Sequence, residues 1–156
     1  MPRYGASSRA TSEQTGKLFS GLALTTGLCC SATISRVATT VLIVDDHHGF
    51  RARARALLES EGYAVVGEAV NGASAVVYAE SLRPDVVLLD VVLPDASGFE
   101  VAERLGRLER TPRVILVSTR EAADFGSLLD SSAACGFIPK PELSGPRLRQ
   151  LLGATP

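Results

Sequence analysis

Tryptophan is absent, and aromatic residues make up only 5% of the 156 positions. Platforms on which unpaired bases stack are therefore scarce, which disfavours single-stranded nucleic-acid binding. A basic surplus is missing as well: 16 Lys and Arg face 17 Asp and Glu, for a formal charge of −1. Neutralising phosphates needs a basic surface, so a general nucleic-acid binder is excluded. Cysteine is rare, and two of the three, Cys29 and Cys30, are adjacent, so no disulfide framework is encoded. Cys135 reads as a small buried residue, and a reducing, cytoplasmic setting is expected. No apolar run reaches the about 20 residues of a membrane span. What remains is 46% hydrophobic and 21% charged, the composition of a globular chain long enough for one domain with a real core.

Residues 1–38 differ from the rest. They hold eleven Ser or Thr, the basic residues Arg3, Arg9, Lys17 and Arg36, and the single acid Glu13. The patch from Leu18 to Cys30 loosely imitates a signal peptide. It is broken by Ser20, Gly21, Thr25, Thr26 and Gly27, and Leu28 is the wrong residue ahead of a lipid-modified cysteine. The expectation is a disordered extension over 1–38. Methionine occurs only at position 1, and Val37 precedes the first strand, so a native start near Val37 is also expected.

From Thr39 the pattern alternates strand and helix. Val41–Val44 is a buried strand running into Asp45 and Asp46. Phe50, Ala54, Leu57 and Leu58 fall at helical spacing, with Arg51, Arg53 and Arg55 expected on a solvated flank and Arg55 offset by four from Glu59. Gly62 stops that helix. Tyr63–Val66 is the second strand, and a helix follows over 73–82. Val86–Leu89 is a short unbroken apolar run, the mark of a strand buried on both faces, and it ends in Asp90. Turn residues Pro94, Asp95 and Ser97 follow, then a helix over 98–108. Val114–Val117 delivers Ser118 and Thr119, a weaker helix is expected over 122–134, and Gly136–Pro139 runs into Lys140. A helix over 143–152 closes the pattern. Strands alternating with helices of ten to fifteen residues imply right-handed crossovers. The predicted fold is α/β: a doubly wound, five-stranded parallel sheet with helices on both faces.

The residues that close the strands then share one sheet edge, where ligands bind in open α/β folds. Asp45, Asp46 and Asp90 repel one another unless a hard cation sits among them, and Mg²⁺ suits a few carboxylates plus phosphate oxygens. Without it, at least one acid is expected to titrate above its ordinary value, with Asp46→Asn relieving the crowding. Ser118 and Lys140 would hold the oxygens of a transferring phosphoryl group. Asp90 is the natural nucleophile. His47 and His48 read as polar residues at a helix start rather than as ligands or bases.

Four segments in order, Val41-Leu-Ile-Val-Asp45-Asp46-His47, Asp85-Val-Val-Leu-Leu-Asp90 with Pro94-Asp-Ala-Ser-Gly98, Val114-Ile-Leu-Val-Ser118 and Gly136-Phe137-Ile-Pro-Lys140-Pro141, resemble the receiver domain of bacterial two-component response regulators. The likeness covers 39–153 and leaves 154–156 as a tail. It implies the flavodoxin-like receiver fold, Mg²⁺ on Asp45, Asp46 and Asp90, and phosphorylation of Asp90 by a sensor histidine kinase or phosphotransfer protein. Ser118 and Lys140 would bind the phosphoryl group, and Phe137 would change rotamer on activation. A cis Lys140–Pro141 bond is implied too. The stretch Asp46-His-His-Gly-Phe50-Arg51 is most similar to receivers that precede helix-turn-helix output domains. Only sixteen residues follow Lys140, so a stand-alone receiver without direct DNA binding is expected, signalling to a downstream protein. Its fourth helix, fifth strand and last helix would offer the face for a phosphorylation-dependent homodimer.

Two other readings compete. A haloacid dehalogenase-type phosphatase also combines an Asp nucleophile, Mg²⁺, Ser/Thr and Lys, but carries its Asp-x-Asp pair on the first strand; here Val92 stands two beyond Asp90. A pseudo-receiver would bind partners without phosphate, against which the intact site residues speak.

Overall fold

The computed structural model describes residues 37–153. The extension expected over 1–38 lies, as far as residue 36, outside the described residues. Five parallel strands, β1 (Thr40–Val44), β2 (Ala64–Ala69), β3 (Val86–Asp90), β4 (Arg113–Ser118) and β5 (Gly136–Pro139), form one sheet in the order β2-β1-β3-β4-β5. The chain leaves β1 toward one edge and returns beside it as β3. The carboxyl ends of β1 and β3 therefore flank the point where the winding reverses, the crevice where such sheets take ligands.

The apolar runs of the strands are unbroken because both sheet faces are covered. Alternate residues point to opposite faces. Leu42, Val44, Val87, Leu89 and Leu116 pack with residues of α2 (Gly72–Leu82) and α3 (Gly98–Leu105). Val41, Ile43, Val86, Leu88, Ile115 and Val117 pack on the other face with α1 (His48–Ser60) and with Leu148 of α5 (Gly145–Leu151). Each such fully buried Val, Leu or Ile stabilises the fold by about 1.5–3 kcal/mol.

Loop chemistry fixes the helix starts near the crevice. Asp95, in the loop after β3, accepts from the first N–H groups of α2, Gly72 at 2.7 Å and Ala73 at 2.9 Å. Asn71 accepts from Ser74 N at 2.8 Å. Ser97 Oγ accepts from Phe99 N, and Glu100 reaches back to Ser97 N, so α3 begins on a reciprocal cap. At the other end of the sheet, Asp85 ties β3 to β1 by accepting from Thr40 N and Thr40 Oγ1.

Several expectations need correction. The helix predicted over 122–134 is a 3-10 turn at Ala122–Asp124 and a single turn, α4 (Ser127–Asp130), with no buried residue in either. Gly126 separates them at φ 49°, ψ −130°, a conformation that ends a helix. α3 stops at Leu105 rather than 108. α5 starts at Gly145 rather than 143, because a 3-10 turn over Lys140–Glu142 comes first and the Ser144 side chain caps the helix. Cys135 is exposed, not buried. Arg51, expected in solvent, is 8% exposed. Among the described residues no helix is long and apolar enough to cross a membrane.

Candidate phosphoryl-transfer site

Asp45 follows β1 directly and is wholly buried. Its N–H donates to Ala69 O at 3.1 Å, and its Oδ1 accepts from His47 N at 2.9 Å. Its Oδ2 lies 2.6 Å from Lys140 Nζ, off the direction a hydrogen bond needs. That oxygen is thus in strong charge contact yet is a buried acceptor without a hydrogen bond. Asp90 at the end of β3 is 4% exposed; Lys140 Nζ donates to its Oδ2 at 2.9 Å, and Val92 N donates to its Oδ1 at 3.3 Å. Lys140 thus stands between the two buried acids, with its ammonium 4.7 Å from the centre of the Phe50 ring. Ser118, 2% exposed at the end of β4, accepts from Arg120 N at 3.2 Å. An open cleft of about 1060 Å³ joins Asp46, His47, Phe50, Asp90, Ser118 and Lys140.

The electrostatics follow from burial. Desolvation raises the Asp90 carboxyl above its ordinary pKa; Lys140 pulls it back, and Asp45 adds a smaller upward push. Burial works against the Lys140 charge too, but two carboxylates outweigh it and hold its pKa above the ordinary value. One ammonium shared by two acids is well served, while Asp90, with half a partner, is not.

Five of the six residues singled out from the sequence, Asp45, Asp46, Asp90, Ser118 and Lys140, meet at this edge. Phe137 does not line the cleft. It is half-buried on β5, its ring 5.6 Å from that of Phe125. Asp46 turns outward, its side chain 41% exposed and its Oδ1 2.7 Å from His47 Nδ1. Asp45, Asp46 and His47 each offer a donor atom within 4.8 Å of the others. His47 does stand at the start of α1, as its N-cap, but without a side-chain capping bond; its ring serves Asp46 instead.

Arg51 was missed. Its Nη1 donates to Asp45 O at 2.8 Å and its Nε to Glu68 Oε2 at 3.1 Å. The helical period held the signal, since Arg51 lies three before Ala54 and seven before Leu58, both buried.

A sheet of this winding with two buried acids, a lysine and a hydroxyl at its carboxyl edge is the arrangement the receiver resemblance implies. The chain belongs to the response regulator receiver domain family, which matches residues 41–152. Response regulator GacA of Pseudomonas aeruginosa is 38% identical over 101 residues, covering 64% of this chain and 47% of that protein. The response regulator domain of Thermotoga maritima CheB superposes with a TM-score of 0.64 at 31% identity, covering 76% of this chain and 99% of that one. A LuxR-family two-component response regulator from Aurantimonas sp. SI85-9A1 gives a TM-score of 0.66 at 26% identity, over 74% and 86% of the two chains. The chain spans about half the length of the curated regulators it matches. Receiver domains carry phosphorylation-based signalling, and the family match leaves the dehalogenase-type reading without support.

Receivers bind Mg²⁺ through acidic residues, and the residues here fit such an ion. The donors are hard carboxylate oxygens: Asp46 and Asp90 line the open cleft, and the buried Asp45 Oδ2, beside Lys140, has no hydrogen bond.

Proposed function

We propose that this chain accepts a phosphoryl group on Asp90 from a sensor histidine kinase or phosphotransfer protein and passes the signal on as a shape change read by a protein partner. The observation that supports this most is the pairing at the sheet edge: a buried Asp90 whose Oδ2 is held 2.9 Å from Lys140 Nζ beside the buried Ser118.

A carboxylate oxygen of Asp90 attacks phosphorus, the P–N bond of the donor phosphohistidine breaks, and the electron pair leaves with the imidazole. Lys140 favours the ionised, attacking form of Asp90 against the cost of burial, and its ammonium is placed to follow the charge onto a phosphoryl oxygen. Ser118 Oγ accepts from Arg120 N, which leaves its own proton free for another phosphoryl oxygen. Asp45, Asp46 and Asp90 would hold Mg²⁺, with His47 alongside; when bound, the ion supplies neutralisation of the developing charge. A homodimer through α4, β5 and α5 would use a face whose α4 is one turn long.

Incubation with acetyl phosphate and Mg²⁺, followed by intact-mass measurement, tests the assignment. One phosphoryl adduct per chain is expected, absent in Asp90→Ala and absent in EDTA. An equal adduct in Asp90→Ala would sink it, and rapid turnover of the donor without an adduct would favour a phosphatase.

A further inference from the structure

We infer that Arg51 is a positioning residue for the acid pair at the end of β1, and that Glu68 holds it there. The inference rests on the reading of Asp45 and Asp46 as the cation-binding acids.

A buried guanidinium is costly unless its donors are satisfied. Arg51 is 8% exposed, and its partners show what it is for. Nε pairs with Glu68, near the end of β2, and Nη1 donates to the backbone carbonyl of Asp45, not to another side chain. That carbonyl belongs to the Asp45–Asp46 peptide. Its direction sets the backbone angle after Asp45 and so decides where the Asp46 carboxylate falls.

The other polar atoms of Asp45 are nearly all committed. The N–H donates to Ala69 O, Oδ1 accepts from His47 N, and the carbonyl accepts from Arg51. Only Oδ2 lacks a hydrogen bond. Arg51 therefore closes a three-point clamp that leaves one oxygen facing Lys140. Removing it frees the peptide and lets Asp46 wander, while the strand itself stays in the sheet.

Arg55 supplies an internal control. It sits one turn further along α1 and bonds the same Glu68, Nε to Oε1 at 2.7 Å, with Glu59 at 3.0 Å, yet it makes no bond to Asp45. Both arginines contribute to the Glu68 cluster. Arg51 alone touches the site.

The test is Mg²⁺ titration of the metal-free 156-residue chain, followed by amide shifts near Asp90 in ¹⁵N spectra, with urea melts in EDTA alongside. Arg51→Met is expected to raise the Mg²⁺ Kd about tenfold, within the range for groups that orient metal ligands. Arg51→Lys, which keeps the charge but not the forked geometry, should lie between it and the parent, and it carries the comparison if Arg51→Met does not fold. Arg55→Met should lower the urea midpoint but leave the Kd within about twofold of the parent, since it orients no metal ligand. If the Arg51 variants bind Mg²⁺ no more weakly than Arg55→Met and differ only in urea midpoint, Arg51 is a structural ion pair and the inference fails. If the parent binds no Mg²⁺, the reading of the acids fails first, and this inference falls with it.

Discussion

Asp90 has burial as the main cause of its raised pKa, with the Asp45 charge a lesser one and Lys140 opposing both. A carboxyl whose folded pKa exceeds its unfolded value contributes full stability while it is neutral in both states. That contribution is lost as pH rises through the folded value. Metal-free Asp90→Asn, always neutral and nearly the same shape, should therefore be more stable than the parent at neutral pH. The advantage should close by about pH 3, where the parent's acid is also neutral. Urea midpoints in EDTA at the two pH values check this; a gap of the same size at both would mean the gain has nothing to do with ionisation. The sequence anticipated a raised acid but ascribed it to crowding, whereas burial of Asp90 is the larger cause. It placed relief at Asp46, whose carboxylate instead lies toward solvent and His47. Type and spacing of acids can be read from a chain, but burial of each one depends on the fold around it. Arg51 shows the same gap, since a charged residue on a helix flank reads as solvated until a buried carbonyl is found to receive it.

At the scale of elements, strands were the legible part. An apolar run with an acid or hydroxyl at its end carries its own boundaries, and β1, β3, β4 and β5 fall within about a residue or two of expectation. The segment 122–134 was not legible, because no residue of its two short turns is buried, Phe125 and Leu129 pack only partly on the core, and Gly126 breaks the helix between them. The junction after β3 was readable as a turn, but not its tightness. Gly98 starts α3 with its N–H on Val91 O at 2.8 Å. A Cβ there would overlap the Asp90 carbonyl oxygen and come 2.8 Å from Val91 Cα, both unyielding backbone. Gly98→Ala should thus cost about 2–3 kcal/mol in urea unfolding, the upper range for forcing atoms into a packed site. Gly49, in the first turn of α1, is the contrast, since a methyl group added there would meet nothing within 4 Å. Gly49→Ala should be neutral or stabilise by up to about 1 kcal/mol. Equal losses at both positions would show that α3 does not abut β3 as described.

Across the whole molecule, if the chain signals as proposed, the change at the cleft must reach a readable surface, and the aromatic residues supply a continuous route. Ser118 Oγ accepts from the N–H of Arg120. The Arg120 guanidinium lies 5.7 Å from the centre of the Phe125 ring. Phe125 in turn packs 5.6 Å from Phe137 on β5 and 5.8 Å from Phe99 on α3. Phe137 was expected from the family resemblance; Phe125 and Phe99, far apart in the chain, have no pattern that would pair them. If Ser118 Oγ moves toward a phosphoryl oxygen, it draws with it the Arg120 N–H that it accepts from, and the cation above Phe125 shifts too. A phosphoryl group moves this equilibrium only by its differential affinity for the two arrangements. Ser118→Ala should keep phosphorylation of Asp90 but lose most of the response at Phe137. Phe125→Leu should also keep phosphorylation, with Ser118 intact, yet uncouple both rings. Each aromatic contact is worth about 0.5–1.5 kcal/mol, so its loss should change the two-state ratio by up to about tenfold. Aromatic ¹H–¹³C shifts of Phe99 and Phe137, recorded with and without acetyl phosphate and Mg²⁺, make the comparison. If both rings respond in Phe125→Leu as fully as in the parent, the signal leaves Ser118 by another path, and the three-ring cluster is packing only.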